Sequence, residues 1–544
     1  MWKKHPKALP FLFFSEMWER FGYYLMIGIF TFYLKDAVNG FSMNEKDSAS
    51  LYGTFIALVF FTPFLGGLIA DRYLGYRRSI ILGGLLMGAG YCMMGIHNET
   101  MLYVSMTLVI LGNGFFKPNI STLLGNVYST PKHMHQKDEG YNIFYMGINI
   151  GAFVCNFFGA VLLNLLGWAG AFGAAGVGMF IGVITFIIGT KHYREYDVRK
   201  PLQPGDLPLW KIFALVIFPS LIFGIIGWFM KGTKGYIFDS NSTDAFIFAC
   251  IPVLVFYGAL LVRSNKHERP AMGAMLSIFA VVILFWAIFK QNGSALNTWA
   301  SRYTDRHVEG FAGTVVSKLL LSDTTTLYKK DSVALTDAQF RKQGNLKIWD
   351  YPSYFKNMDM KETPVKDGEL LRTWAPSLSQ SINPFWVIVL TPLIVAFFTW
   401  LRRKGKEPST PTKIAFGLLI SALSVLVMIA AVKAGNNGSE KVSVWWLIGS
   451  YGVITIGELF LSPMGLSLVS KLSPVRITSL MMGGWFLSTS IGNKLSGILA
   501  SKWDQYDNKA NYFWLNFILL GAAAIFLFLL LKWLNRVMKE KGVN

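Results

Sequence analysis

Long apolar stretches separated by short polar segments run through the whole chain. Each stretch holds roughly 20 residues, the length at which an α-helix crosses the hydrocarbon core of a bilayer. They lie near residues 9–34, 51–70, 79–96, 101–126, 139–165, 168–190, 209–230, 244–263, 271–299, 382–402, 412–432, 444–470, 477–500 and 511–535. This pattern predicts an all-α polytopic membrane protein with about 14 transmembrane helices.

The order of these stretches divides the chain into units of six, two and six. A charged, proline-rich segment, KPLQPGDLP, separates the first six from a pair without charge deep in its apolar core. We expect a six-helix bundle over 1–195, a cytoplasmic linker with an inserted two-helix hairpin over 196–268, and a second six-helix bundle over 269–544. Binding sites at the midplane between two such halves are common in transporters.

Residues 301–380 interrupt the second half, because they are polar, nearly balanced in charge and without a long apolar run. Helix parity places this loop outside the cytoplasm, and long loops are translocated largely regardless of their charge. Two interpretations remain open. The segment is either a partly ordered surface loop, the commoner case, or a cap that binds a partner or gates the protein.

The amount and distribution of charge distinguish between a nucleic acid and a lipid bilayer as the partner of this chain. The formal net charge is +20, but only 15% of the 544 residues are charged, against about 25% in soluble proteins. The basic residues lie in short segments between apolar stretches, such as KHYREYDVRK and RRKGKEPSTPTK, as in the cytoplasmic loops of membrane proteins. We therefore expect a lipid bilayer and no nucleic acid as partner, in the cell (inner) membrane, with both termini cytoplasmic.

Several other classes of site are not indicated. Cys92, Cys155 and Cys250 lie in apolar stretches without metal-ligand spacing, so no metal, cofactor or disulfide framework is predicted. The first stretch carries Glu16 and Glu19 and no small-residue cleavage site, which argues against a cleavable signal peptide. The histidines lie in loops or at span ends, so a histidine proton relay is not expected. We predict that the protein is not an enzyme.

Charged residues inside the apolar stretches are the most informative feature, because a charge at bilayer depth is costly and faces a cavity or a partner. The acidic ones are Glu16, Glu19 and Glu458, and the basic ones are Arg20, Lys117, Lys290 and Lys494, the last nearer the outer rim. A cavity that holds both signs apart suits a zwitterion, such as an amino acid or a short peptide. A ring of one sign would suit an ion pore.

The first stretch, SEMWERFGYY, places its polar residues along one helical stripe, because Glu16 and Arg20, Glu19 and Tyr23, and Arg20 and Tyr24 are each four apart. The stripe is either an internal ion pair that lets the helix insert or, as we favour, the wall of a water-filled cavity. Of two carboxylates beside one guanidinium, one can take up and release a proton. The planar fork of the arginine also suits a substrate carboxylate.

The other candidate residues each have a structural alternative. Lys117 precedes a proline and lies too deep in its span for its ammonium to reach the membrane surface easily. Asn149 lies between two glycines that form a close-packing helix face. Glu458 lies mid-span and needs a proton or a cationic partner. Trp485 is more often a packing residue than a binding residue, and Lys290 follows the inserted hairpin.

Several long motifs in one order resemble the proton-dependent oligopeptide transporter (POT) family of the major facilitator superfamily. They are E-x-x-E-R-F-x-Y-Y at 16–24, GGLIADRYLGYRR at 66–78, F-Y-x-x-I-N-x-G at 144–151, QSINP at 380–384 and GELFLSPMGLS at 457–467. The resemblance covers nearly the whole chain, although the 301–380 loop is longer than expected, and the extra hairpin resembles that of bacterial members. It implies the major facilitator fold, with twelve core helices in two bundles that alternate access.

The resemblance also implies roles for individual residues. Glu16 and Glu19 would take part in proton coupling, Arg20 and Lys117 would face the peptide carboxylate, and Glu458 would hold the peptide amino group. The expected lining of the pocket is Tyr23, Tyr24, Asn149, Asn383 and Trp485.

Two positions depart from the family pattern. Lys290 stands where the family usually has a glutamate tied to proton coupling, so it either pairs with a cavity carboxylate or is itself the group that changes charge. Phe60 stands where many relatives have tyrosine, which removes one hydroxyl contact.

The expected function is a symporter that imports di- and tripeptides with protons. The alternatives are a carrier of nitrate or another small anion, and a peptide sensor that does not transport.

Overall fold

The computed structural model describes residues 5–128, 130–133, 137–199, 208–230, 237, 240–319, 321–326, 333–336, 342–346, 353–355, 370–473 and 478–540. The α-helices are α1 (Ala8–Lys35), α2 (Glu45–Ile69), α3 (Tyr76–Met94), α4 (Glu99–Val127), α5 (Lys137–Gly189), α6 (Leu209–Ile212), α7 (Phe218–Phe229), α8 (Asn241–Arg263), α9 (Arg269–Phe289), α10 (Ala295–Arg302), α11 (Gly310–Lys318), α12 (Ile382–Arg403), α13 (Thr410–Ala434), α14 (Val444–Leu472), α15 (Thr478–Ser501) and α16 (Lys509–Glu540). Each predicted apolar stretch falls on one or more of these helices.

Some spans are composite. Gly167 has a φ of 66°, which glycine adopts without strain, and it divides α5 into two spans as predicted. A π-helical turn, Phe213–Ile217, joins α6 and α7 into one span. Within the described ranges, ten stretches are long and apolar enough to cross a membrane by length and hydropathy alone. One of these ten covers both spans of α5.

The predicted continuous stretch 271–299 is wrong in one respect. The helix α9 ends at Phe289, a 3₁₀ turn covers Lys290–Gly293, and α10 begins at Ala295. The sequence QNGS after Lys290 explains the break, because glycine is a poor helix former and asparagine and serine compete for backbone hydrogen bonds. The break places Lys290 at a helix end rather than within a regular helix.

Two buried apolar clusters form the interior. One is built from α1 to α5, and the other mainly from α9, α10 and α12 to α16. The hairpin of α6–α8 packs on the second cluster through Val216, Val253 and Tyr257. Its other face exposes large apolar side chains such as Phe218 and Leu221, as expected of a surface in contact with lipid. The architecture is thus two bundles and an inserted hairpin.

The predicted polar loop 301–380 contains regular structure that the sequence analysis did not foresee. In its described part, α11 is followed by β1 (Ser322–Thr326), which pairs antiparallel with β4 (Leu370–Trp374), and by β2 (Val333–Thr336), which pairs antiparallel with β3 (Lys342–Leu346). This segment lies at the end of the molecule where α1 ends and α2 begins. We call that end the loop side, and the opposite end, where α1 begins and α16 ends, the terminal side.

The two bundles touch each other on the loop side through α2 and α15. A Cβ atom added at Gly53 would lie 2.8 Å from the Cα atom of Gly497, so the two glycines allow the helix backbones to approach closely. Beside this contact, the buried Lys494 ammonium donates to the Thr54 hydroxyl at 2.7 Å. The interior between the bundles is therefore closed at this end.

Candidate binding chamber

The charged stripe of α1 is buried and internally bonded. Nε of Arg20 donates to Oε1 of Glu16 at 2.9 Å and lies 2.9 Å from Oε2 of Glu19, an ion-pair distance without a hydrogen bond. Oε2 of Glu16 and both carboxylate oxygens of Glu19 have no hydrogen-bond partner among the described residues. Because a buried acceptor without a donor is costly, this arrangement has room for one more proton.

The helix α5 holds α1 in place through the glycine face that the sequence predicts. A Cβ atom at Gly147 would lie 2.9 Å from the ring of Phe13, and one at Gly151 would lie 3.0 Å from the backbone nitrogen of Phe21. Only glycine permits this close approach of two helices. Asn149, between the two glycines, is buried and donates to the backbone carbonyl of Tyr145 at 2.9 Å.

Two partly buried lysines from different bundles share one aromatic ring. Nζ of Lys117, on α4, lies 3.8 Å from the centroid of the Phe60 ring, and Nζ of Lys290 lies 5.3 Å from it. Within the described part of the chain, neither ammonium has a hydrogen-bond or ion-pair partner. Of the ring contacts found among the described residues, the one with Phe60 is the shortest for each ammonium.

Glu458 lies on α14 and is held by an amide. Nδ2 of Asn383, on α12, donates to Oε2 of Glu458 at 3.0 Å and to Oγ1 of Thr455 at 2.9 Å. Lys290 lies within electrostatic range of Glu458, although farther than an ion pair. The carboxylate therefore has a fixed orientation and no close cation among the described residues.

Tyr145 shows that the space between these groups is open. Its side chain is 37% exposed, although it lies within electrostatic range of Glu458 in one bundle and of Arg20 and Tyr24 in the other. A tyrosine in such surroundings is exposed only if it lines an internal chamber. The sequence analysis did not select Tyr145, although its spacing of four from Asn149 was a usable signal.

The remaining predicted pocket residues differ in accessibility. Tyr24 is partly exposed at the chamber, whereas Tyr23 lies in the first apolar cluster, with the Arg20 guanidinium 5.9 Å from its ring centroid. Trp485 is 4% exposed and packs edge-on against Phe279 in the second cluster. The chamber thus brings together Arg20, Tyr24, Lys117, Lys290, Asn383 and Glu458. A direct contact of a ligand with Tyr23 or Trp485 would require a rearrangement.

A second charged cluster joins the bundles on the loop side. Oε1 of Glu45 lies 3.2 Å from Nζ of Lys35, and Oε2 lies 3.0 Å from Nη2 of Arg302 in the other bundle. The hydroxyl of Thr298, also in that bundle, donates to the same carboxylate at 2.7 Å. The sequence analysis missed this cluster because its members lie at the polar ends of spans and far apart in the chain.

Comparison with known proteins gives one consistent result. A model of the POT family matches residues 77–313 and 373–515. The uncharacterized transporter YclF of Bacillus subtilis (strain 168) is 28% identical over 510 residues, which cover 92% of this chain and 89% of the relative. Dipeptide and tripeptide permease A of Salmonella typhimurium (strain LT2) is 27% identical over 503 residues, or 92% of this chain and 84% of the relative.

A solved structure agrees with the architecture. The crystal structure of a single-substitution variant of the peptide transporter POT in complex with alafosfalin superposes with a TM-score of 0.75 at 27% identity, covering 99% of this chain and 97% of that chain. Two helical bundles with an inserted hairpin, around a chamber lined by both signs of charge, define a membrane protein of the major facilitator type. The chain belongs to the POT family.

The loop-side cluster generates the first testable prediction. In a Glu45→Gln variant, Lys35 and Arg302 lose their shared carboxylate and repel each other, so the two bundles separate more readily on the loop side. Removing one partner of a buried ion pair costs about 3–5 kcal/mol. We therefore expect a cysteine placed at the buried position Thr31 to react with a membrane-impermeant maleimide at least about tenfold faster in this variant. A factor of ten requires only about 1.4 kcal/mol, which is less than the cost of the lost ion pair.

Two controls make this measurement specific. The same protein without the Thr31→Cys change corrects for labelling of the native cysteines. Glu440→Gln removes an exposed carboxylate from the connection between α13 and α14 and should leave the rate unchanged. Equal labelling of Thr31→Cys with and without Glu45→Gln would show that the cluster does not hold the bundles together.

Proposed function

We propose that this protein imports di- and tripeptides together with protons by alternating access. The observation that carries the proposal is the separation of charge in the chamber, with Glu458 in one bundle and Arg20 and Lys117 in the other. A short peptide carries one ammonium and one carboxylate, so each end would find a group of opposite sign. The names of the relatives, dipeptide and tripeptide permease among them, support the same substrate class.

The proton is proposed to reside on the α1 cluster. Arg20 already forms ion pairs with Glu16 and Glu19, so a peptide carboxylate that binds Arg20 competes with them. A glutamate displaced from the guanidinium would leave a buried negative charge without a partner, which is costly. Protonation removes that cost, and in this way peptide binding and proton uptake favour each other.

Lys290 is proposed to take part in coupling, in one of two ways. It either pairs with a chamber carboxylate in another conformation or is itself the group that changes charge. The absence of a described carboxylate within ion-pair distance of its ammonium supports a role other than a standing ion pair in this conformation. Electrostatic interaction with Glu458 and Arg20 links it to both ends of the proposed peptide site.

The orientation in the membrane is also a proposal. We place the protein in the cell membrane with its loop side outside and both termini in the cytoplasm, in agreement with the distribution of Lys and Arg. The contacts of α2 with α15 and of Glu45 with Arg302 then close the outer entrance. The units proposed to move against each other are 1–195 and 269–544, with 196–268 as the linker and hairpin.

A small-anion carrier is the second candidate, because Lys117 and Lys290 present cations without a described protein counter-ion. The placement of Glu458 in the same chamber favours a ligand with both signs of charge. A zwitterionic peptide satisfies both observations, whereas nitrate satisfies only the first.

Uptake by purified protein in liposomes tests the proposed function. With the interior negative by 100 mV, one proton moving with a neutral peptide gains about 2.3 kcal/mol, which sustains a gradient of roughly 40-fold. Dialanine should accumulate in response to the imposed potential, whereas alanine should not. Currents with nitrate but not with dialanine would favour the anion carrier, and peptide binding without uptake would favour a sensor.

The proposed role of Glu458 can be tested by blocking the peptide amine. In Glu458→Gln the site loses its negative charge but keeps an amide of the same shape beside Asn383. Binding of dialanine should weaken by about tenfold or more, whereas N-acetyl-dialanine, which has no ammonium, should bind nearly as before. Affinities are measured by competition against a labelled peptide, with Glu440→Gln as the control. An equal loss for both ligands would contradict the assignment.

The role of Lys290 in coupling can be tested with two substitutions. Lys290→Gln lowers the charge of the chamber by one unit and Lys290→Glu by two, so the chamber holds a proton more readily in both. The pH profile of proton-driven dialanine uptake should move to higher pH, further for the glutamate variant, while peptide exchange without a proton gradient persists. Unchanged profiles in both variants would remove Lys290 from the coupling mechanism.

A further inference from the structure

The proposed function leaves one chamber cation, Lys290, without an assigned partner when a simple zwitterionic peptide is bound. Arg20 is shared by two glutamates, and Glu458 is oriented by Asn383 for a peptide ammonium. In the proposed function, Arg20 and Lys117 take the one carboxylate of such a peptide. Lys290 is then left without a counter-ion, and a secluded charge that stays unpaired is costly.

The surroundings of Lys290 fix its position. Beyond Phe60, its ammonium lies 5.4 Å from the ring centroid of Trp286 and 5.6 Å from that of Phe289. The next residue, Gln291, is buried and anchors the turn to α16, because its Oε1 accepts from the Tyr512 hydroxyl at 2.9 Å. The cation is therefore held by an anchored turn among aromatic rings rather than on a free surface side chain.

Phe60 places Lys290 next to Lys117. Both ammonium groups contact the same ring, which has no polar group that could satisfy either of them. Two ammonium groups held this way attract an anion, and the aromatic rings offer apolar contact to a short hydrocarbon stem. Lys290 also interacts electrostatically with Glu458, which attracts it, and with Arg20, which repels it.

We propose that Lys290, held among the rings of Phe60, Trp286 and Phe289, forms an anion subsite that binds the side-chain carboxylate of an acidic di- or tripeptide. This inference rests on the proposed function and makes it more specific, since it names peptides containing aspartate or glutamate as the preferred substrates. A free inorganic anion has the same charge and is the other source of a ligand for Lys290.

The test compares two peptides of the same shape that differ in one charge, Ala-Glu and Ala-Gln. In proteoliposomes, the wild-type protein should reach half-saturation at an Ala-Glu concentration about tenfold lower than for Ala-Gln. Lys290→Gln should bring the ratio close to one, and Lys290→Arg, which keeps the charge, should preserve it. Lys211→Gln, which changes an exposed lysine of the hairpin, is the matched control and should also preserve it.

The outcomes separate this inference from the proposed function. Transport of Ala-Gln without any preference for Ala-Glu, or a preference that survives Lys290→Gln, would overturn the subsite alone, whereas transport of neither peptide would overturn the proposed function. A preference that appears only after gluconate replaces chloride would assign the subsite to an inorganic anion. Ligand-induced shifts in the thermal unfolding of the wild-type protein give the same comparison without any variant.

Discussion

The cost of placing charge among apolar helices determines how this molecule is built. Each ionised group inside the bundles must find an opposite charge, a hydrogen-bond donor or an open, water-accessible space. Arg20 is the clearest case, since its Nε lies 2.9 Å from both Glu16 and Glu19. The helix α5 packs directly against α1 beside this stripe, which Gly147 and Gly151 allow. The position of the charged stripe thus depends on helix packing as well as on the charges themselves.

The same constraint distinguishes the two charged clusters that join the bundles. On the loop side, Glu45 is fully paired with Lys35 and Arg302, and the helices around it are in contact. In the chamber the opposite holds, because the ammonium groups of Lys117 and Lys290 make cation–π contacts but have no ion-pair partner among the described residues. A paired cluster stabilises closure, whereas unpaired charges favour a ligand that brings the missing partners. This contrast supports a chamber that binds a charged ligand beneath a closed entrance.

Lys290 gives the chamber a charge that differs from the one the family resemblance implies. The family resemblance read from the sequence implies a glutamate there, and relative to that expectation a lysine reverses the sign of the charge next to Phe60. The structure also ends α9 at this residue and anchors the following turn through Gln291 and Tyr512. We interpret the combination of a reversed charge and a rigid position as a change in which ligands the chamber accepts.

The sequence alone determined the membrane-spanning helices, the inserted hairpin and the list of charges that had to face a cavity, because apolar length and the cost of buried charge are local properties. It did not determine which charges pair. The bridge from Glu45 to Arg302, the shared ring between Lys117 and Lys290, and the exposure of Tyr145 join residues far apart in the chain. Only the packing of one bundle against the other decides such contacts, because distances between helices are set by the side chains of both partners.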